Sequence, residues 1–329
     1  MLKLIITLRH RFDLWNAPGW FAERLRRDFS GLSVVDLRGY EGIEQQIPDA
    51  DIAIAWSLRP EQFRLAKKLR WIHSTAAAVH QLMFPELIAS HVVLTNAREV
   101  HGPVVAEHVM ALIFALAKRI PRAVRLQHKH SWGQREMWES RPRPREVAGA
   151  TLGLIGLGSI GRAVCRSASS LGMKVIAARE HPEKEIPTGI QQVFSSSQID
   201  EVLALSDYVV LCAPVTLSTQ GLMNEDRFAK MKPGACLINV SRGPLIDESA
   251  LIDALRSRRI GGAALDVFAI EPLPAESPLW DFDNLLITPH TAGLTEKIWE
   301  RQYALYTENL RRFLAGQPLL GLVDKQKGY

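Results

Sequence analysis

The stretch TLGLIGLGSIGRAVCRSASSLG (151–172) constrains the fold more than any other part of the chain. An apolar run at 152–155 leads into Gly156-x-Gly158-x-x-Gly161, and a helical pattern follows to residue 171. Such a glycine pattern carries weight only between a strand and a helix, which is its setting here. Gly156 permits the tight turn. Gly158 leaves room for a pyrophosphate to approach the backbone, and Gly161 lets helix and strand pack closely. The amides of Ser159 and Ile160 then lie at the positive helix end, where an anion is favoured. The expectation is a dinucleotide site on a parallel sheet; the alternative is a glycine turn that binds nothing.

The next strand ends KVIAARE (174–180), with Arg179 where such a fold usually keeps an acid. An Asp there would accept from both ribose hydroxyls of NAD and repel the 2′-phosphate of NADP. Two like charges about 4 Å apart cost on the order of 4 kcal/mol at an effective dielectric of about 20. Arg179 reverses that sign, and its guanidinium fork suits a phosphate. His181, Lys184 and Arg162 are candidate helpers. Glu180 leaves the other outcome open, since turned inward it takes the acid's role. The residues favour NADP as cofactor, with NAD possible.

The same alternation runs through the whole chain. Strands are expected at 2–7, 32–37, 51–56, 70–74 and 92–96, and helices at 18–29 and 60–69, each with a proline in its first turn. Pro103 opens a longer helix that runs to 119. From 151, strands at 151–155, 174–178, 207–213, 235–241, 262–268 and 284–290 alternate with helices at 159–171, 197–205, 224–231 and 247–259. This pattern implies an α/β protein with two Rossmann-like, doubly wound parallel sheets and an active site in the cleft between the domains. A last helix, 294–315, returns to the first domain. The expected division is 1–102 plus 294–329 as a discontinuous, flavodoxin-like substrate domain. The dinucleotide-binding domain is then 103–293, including an arm at 118–146.

Bulk properties exclude other classes. The 329 residues are 47% hydrophobic and 23% charged, with a net charge of +5, which is ordinary for a globular protein. The arm is basic and ends RPRPRE, but lacks interleaved aromatics. It reads as a solvated connection packing on a second subunit, and no nucleic-acid partner is expected. Cys165, Cys212 and Cys236 show no CxxC spacing and read as buried thiols of a reducing compartment, with no disulfide or zinc site. The start MLKLIITLRHRF is too short in its apolar part for a signal peptide. The apolar run 104–117 is broken by Glu107 and His108 and falls short of the roughly 20 residues that cross a bilayer. A cytoplasmic protein without membrane or metal partners is expected. Glu107 and His108 read as a hydrogen-bonded pair at the domain junction.

Three polar groups stand just past buried strands: Arg242 in LINVSRGPLID, Glu271 in ALDVFAIEPLP and His290 in LLITPHTAG, with Asp266 beside them. In open parallel sheets, ligands bind outside the carboxyl ends of the strands. Taken singly, these are a surface arginine, a turn glutamate, a capped loop histidine and an aspartate bonding local amides. Together with TNAREVHGPVVAEHVMALIFALAKR, GATLGLIGLGSIGR, APVTLSTQGLMN, MKPGACLINVSRGPLIDESAL and GGAALDVFAIEPLPAESPLWDFDNLLITPH, they carry a resemblance. The chain is similar to the D-isomer-specific 2-hydroxyacid dehydrogenases, a group that includes glyoxylate and hydroxypyruvate reductases.

The resemblance implies that Arg242, Glu271 and His290 are a catalytic trio and that Asp266 lies on the nicotinamide side. It extends the cofactor-binding set to Ala213 and Ser241. It also implies that amides near Ala77, Ala78 and Val79, in STAAAVHQL, bind a substrate carboxylate together with Arg242. The family often has Gly-Val-Asp where this chain has Ala78-Val79-His80, which loosens that last transfer. A homodimer is implied too, with Trp132 or Trp138 either reaching a neighbour's pocket or packing in the dimer contact. Arg59 lines the cleft mouth or faces water. The chemistry implied is reduction of a small 2-keto acid, or oxidation of the D-2-hydroxy acid. Formate dehydrogenases carry Gln in place of Glu271. Three other relatives stay open at this stage: a phosphite or phosphonate dehydrogenase, a nucleotide-sensing co-repressor and a scaffold.

Overall fold

The computed structural model describes residues 1–10 and 12–328. The chain forms two compact units, Met1–His101 with Thr295–Tyr329, and Gly102–Leu294.

The first unit holds five parallel strands, β1 (Leu2–Thr7), β2 (Leu32–Asp36), β3 (Ile52–Ala55), β4 (Trp71–Ser74) and β5 (Val93–Asn96), in the order β2-β1-β3-β4-β5. The strands are apolar almost throughout because both faces are covered. Leu4, Ile6, Ile52, Ile54 and Trp71 face one layer, with Phe21, Leu25 and the last helix, Ile298–Leu314. Ile5, Ala53, Ala55 and Ile72 alternate with them and face Ile43, Ile47 and Leu87 on the other side. On the last helix, Tyr306 stacks on Trp71 with ring centroids 5.3 Å apart, and Trp299 meets Phe21 edge-on at 5.5 Å. That helix begins at Ile298, four residues later than the sequence pattern suggests.

The second unit holds seven parallel strands: β6 (Thr151–Ile155), β7 (Lys174–Arg179), β8 (Ile190–Ser195), β9 (Tyr208–Leu211), β10 (Cys236–Asn239), β11 (Gly262–Leu265) and β12 (Leu285–Ile287). Their order is β12-β11-β10-β9-β6-β7-β8. The chain steps outward from β6 to β8, then returns to the other side of β6 at β9. The gap between the carboxyl ends of β6 and β9 is therefore the topological switch point, where such sheets take ligands.

Several further features depart from the sequence expectation. The edge strand β8, IQQVFS, has no apolar alternation to announce it and exposes both glutamines. The last strand stops at Ile287, and the chain beyond it forms the loop that carries His290. The arm is not a plain connection, since it contains the helices Ile120–His128 and Gln134–Glu139. Trp132 and Trp138 stand 92% and 61% exposed on it, with the Arg143 guanidinium 4.2 Å from the Trp138 ring centre. The helix before the arm spans Arg98–Ala117, so it starts before Pro103, which sits in its second turn instead of opening it, and it stops two residues short of the expected 119. By length and composition it could cross a bilayer, yet Val105, Val109 and Ile113 are buried in the core of this unit. Cys165 is buried in the core, and Cys212 and Cys236 are partly buried against it. Burial pushes Cys212 up to about 12 and Cys236 to about 11, so both stay thiols at neutral pH.

Candidate active site

At the switch point each glycine of the turn has its own steric reason. Gly156 sits at φ 101°, and a Cβ there would lie 2.8 Å from the Ala213 nitrogen, just past β9. A Cβ on Gly161 would lie 2.5 Å from the Gly156 carbonyl oxygen, so the helix Ser159–Ser170 approaches the turn as only glycine allows. A Cβ on Gly158 would meet nothing within 4 Å, so the space beside this position is open. Gly158 caps the helix, and Ser159 and Ile160 occupy its first turn. This open, amide-lined cradle at the positive end of a long helix fits a dinucleotide pyrophosphate.

Arg179 ends β7, next to Ala178, whose carbonyl accepts from the Gly156 amide at 2.9 Å. Its guanidinium curls onto the loop that follows. It donates to the carbonyls of Pro182 (3.3 Å) and Glu185 (3.2 Å) and to that of Lys184. Its Nε is buried without a hydrogen-bond partner. Of the expected helpers, His181 pairs with Glu183 at 3.2 Å, and the Arg162 Nε donates to the Leu157 carbonyl at 3.4 Å.

Past β10, the Asn239 side chain shapes the turn that presents Arg242. Its amide nitrogen donates to the Arg242 carbonyl (2.9 Å) and its oxygen accepts from the Ser241 amide (3.1 Å). The Ser241 hydroxyl donates to the Ala213 carbonyl at 2.5 Å, tying this turn to the glycine-loop side. Gly243 then rests on the next strand-end loop, where a Cβ would lie 1.9 Å from the Phe268 carbonyl carbon. That contact sets Arg242 beside the loop that carries Glu271. Burial lowers the pKa of the Arg242 guanidinium, and the Glu271 charge partly restores it.

Glu271 and His290 meet directly. Glu271 Oε1 accepts from the Phe268 amide (3.0 Å), and Oε2 lies 2.6 Å from His290 Nδ1. With Nδ1 so engaged, Nε2 is the nitrogen left for chemistry. The imidazole is about half exposed, 52%, and its backbone sits at φ 54°, in the left-handed region that non-glycine residues rarely enter.

Asp266 builds the loop that imposes this conformation. It is 1% exposed, and its carboxylate accepts from Thr288 Oγ1 (2.6 Å), the Thr291 amide (2.8 Å) and the Ala292 amide (2.9 Å). Its backbone carbonyl also accepts from the His290 amide at 2.9 Å. His108 closes the chain, with Nε2 3.1 Å from Thr288 Oγ1. Since Thr288 donates to Asp266, it accepts from His108, which fixes the Nε2–H tautomer. Burial lowers the His108 pKa against the opposing pull of the Asp266 charge. His108 is thus a supporting group of the His290 loop. Thr288 and Asn239 were not anticipated from the sequence; the only signal was a short polar side chain at each strand end. Among the described residues no group of three or more His, Cys, Asp or Glu is arranged to hold a metal.

Ala77, Ala78 and Val79 lie in the first unit, in the turn after β4. Val79 is buried, while Ala77 and Ala78 are partly exposed.

Comparison with known proteins accords with this geometry. The family model described as D-isomer specific 2-hydroxyacid dehydrogenase, NAD binding domain, matches residues 110–292. A glyoxylate reductase of Thermofilum pendens is 35% identical over 263 residues, covering 79% of this chain and 76% of that one. A D-3-phosphoglycerate dehydrogenase of Synechocystis is 35% identical over 257 residues, 78% of this chain and 45% of the longer relative. The crystal structure of an NADPH-dependent glyoxylate/hydroxypyruvate reductase from Sinorhizobium meliloti, in complex with NADP and sulfate, is 28% identical. It superposes with a TM-score of 0.81 over 100% of both chains.

Proposed function

Because the chain belongs to the D-isomer specific 2-hydroxyacid dehydrogenase family of NAD(P)-dependent oxidoreductases, we propose that it reduces a small 2-keto acid, of the glyoxylate or hydroxypyruvate kind, to the D-2-hydroxy acid with NADPH. The observation that carries this reading is the Glu271–His290 contact of 2.6 Å beside the Arg242 turn. Those groups are what keto-acid reduction requires of a protein.

The glycine cradle at Gly156–Gly161, with Ala213 and Ser241 at its edge, would hold the dinucleotide, and the bound nicotinamide supplies the hydride. Arg242 binds the substrate carboxylate and polarises the keto oxygen through charge-assisted hydrogen bonds, each worth about 1.5–3 kcal/mol. His290 delivers the proton from Nε2 to the forming alkoxide. Glu271 accepts from Nδ1, which orients the ring and favours the imidazolium that must give up that proton. In the oxidising direction the same nitrogen is the base. Asp266 serves the nicotinamide side through the loop it organises.

Arg179 supports NADP over NAD: a 2′-phosphate would exchange its loop carbonyls for charge-assisted bonds. The exposed Trp132 and Trp138 support reading the arm as a subunit contact in a homodimer, and three free thiols accord with the cytoplasm.

The test is NADPH and NADH oxidation with glyoxylate, hydroxypyruvate, pyruvate and phosphohydroxypyruvate. Turnover of the first two with NADPH is expected. Tight NADPH binding without turnover of any keto acid would sink the enzyme reading and favour a nucleotide sensor. Preference for phosphohydroxypyruvate would move the reading towards a D-3-phosphoglycerate dehydrogenase, the name the Synechocystis relative carries.

A further inference from the structure

The turn after β4 is held by its carbonyls. The Thr75 carbonyl accepts from Gln302 Nε2 (2.7 Å), the Ala76 carbonyl from the Ala97 amide (3.0 Å) and the Ala77 carbonyl from Asn96 Nδ2 (2.7 Å). In a trans peptide the N–H points opposite to the C=O of the same unit. Three successive carbonyls turned into the protein therefore turn the amides of Ala76, Ala77 and Ala78 outward. Ser74 Oγ takes the Ala76 amide at 3.2 Å. The amides of Ala77 and Ala78 have no partner among the described residues. Successive outward amides form a concavity suited to an anion.

Gln302 is the distant member of this arrangement. It comes from the last helix, 227 positions from Thr75, and is 2% exposed. Its Oε1 is buried without a partner, and so is Thr75 Oγ1. An amide buried for a single hydrogen bond is a costly choice where an apolar side chain would pack. That single bond falls on the first carbonyl of the turn.

We propose that Gln302 is a positioning residue for substrate recognition: it pins the Thr75 carbonyl so that the Ala77 and Ala78 amides stand preformed for a carboxylate. The proposal rests on the reading that this turn receives the carboxylate of a 2-keto acid. Preforming the turn removes an ordering cost from binding, so its signature is affinity for the carboxylate and not the rate of the chemical step.

The test compares wild type, Gln302→Met and the control Tyr306→Phe, which lies one turn along the same helix and loses only a hydroxyl that is buried without a partner. Gln302→Met should raise both the glyoxylate KM and the oxalate inhibition constant about tenfold, the effect of losing one buried hydrogen bond. kcat and NADPH affinity should stay within about twofold. Hydrogen exchange of the Ala97 amide, which reports whether the turn stays docked, should quicken without any ligand. Tyr306→Phe should match wild type throughout. If Gln302→Met does not fold, Gln302→Asn, one methylene too short to reach, takes its place. Unchanged Ala97 exchange overturns the proposal, and so does faster exchange with unchanged carboxylate affinity. A wild-type protein that turned over no keto acid would strike the functional reading instead, and Ala97 exchange would still report on Gln302.

Discussion

His290 is held in an unfavourable backbone conformation by the loop that Asp266 organises, and Glu271 fixes its ring. The cost of that conformation, of order 1–3 kcal/mol, is offset by the buried carboxylate and its donors. His290→Ala should lower kcat about 10²- to 10⁴-fold, the usual range for a general acid, with little change in NADPH affinity. Steady-state kinetics beside a fluorescence titration would check this, and near-normal kcat would end its assignment as proton donor. Thr288→Val should act one step further out. It leaves the Asp266 carboxylate short of its 2.6 Å donor and His108 short of its acceptor, at about 1–3 kcal/mol of stability. Urea unfolding would show the loss, and kcat should fall with it because the loop carries His290, the proposed proton donor.

Among the elements, the strand order decides where the chemistry collects. Because β9 returns to pair with β6, Ala213 lies against Gly156, and β10 and β11 bring the Arg242 and Glu271 loops into successive places on one sheet edge. The glycine turn and its helix are fitted so closely that Gly161→Ala must move one of them. A Cβ placed 2.5 Å from the Gly156 carbonyl should weaken NADPH binding by about tenfold or more. A titration that found wild-type affinity would show that the turn has slack. At the end of β7, Arg179→Asp should raise the NADPH KM far more than the NADH KM, since the change restores an acid that repels a 2′-phosphate and serves a ribose. An equal effect on both cofactors would locate the specificity elsewhere, with Glu180 the next candidate.

On the scale of the whole molecule, the first unit stakes part of its stability on one neutral histidine. His73 is fully buried against Tyr306, its Nδ1 is 2.9 Å from Thr95 Oγ1, and burial pushes its pKa down to about 3. Unfolded, it titrates near 6.5. The folded state therefore refuses a proton that the unfolded chain takes. This contribution is whole above about pH 6.5 and declines as the pH falls, by roughly 2 kcal/mol at pH 5. Urea midpoints at pH 7.5 and pH 5 should converge for His73→Phe relative to wild type, and an identical slope in the two proteins would refute the assignment. The division of labour between sequence and fold has the same physical basis. Short runs that are apolar almost throughout, prolines near helix starts and the glycine spacing are properties of near neighbours. From them the sequence by itself determined the parallel sheets, the dinucleotide turn, and Arg242, Glu271 and His290 at strand ends. It could not announce β8, whose sequence lacks alternation, nor where the Arg179 guanidinium turns. Nor could it announce the chain from His108 through Thr288 to Asp266, or the hold of Gln302 on Thr75. Those are single hydrogen bonds between residues up to 227 positions apart, and only packing decides which buried donor finds which carbonyl.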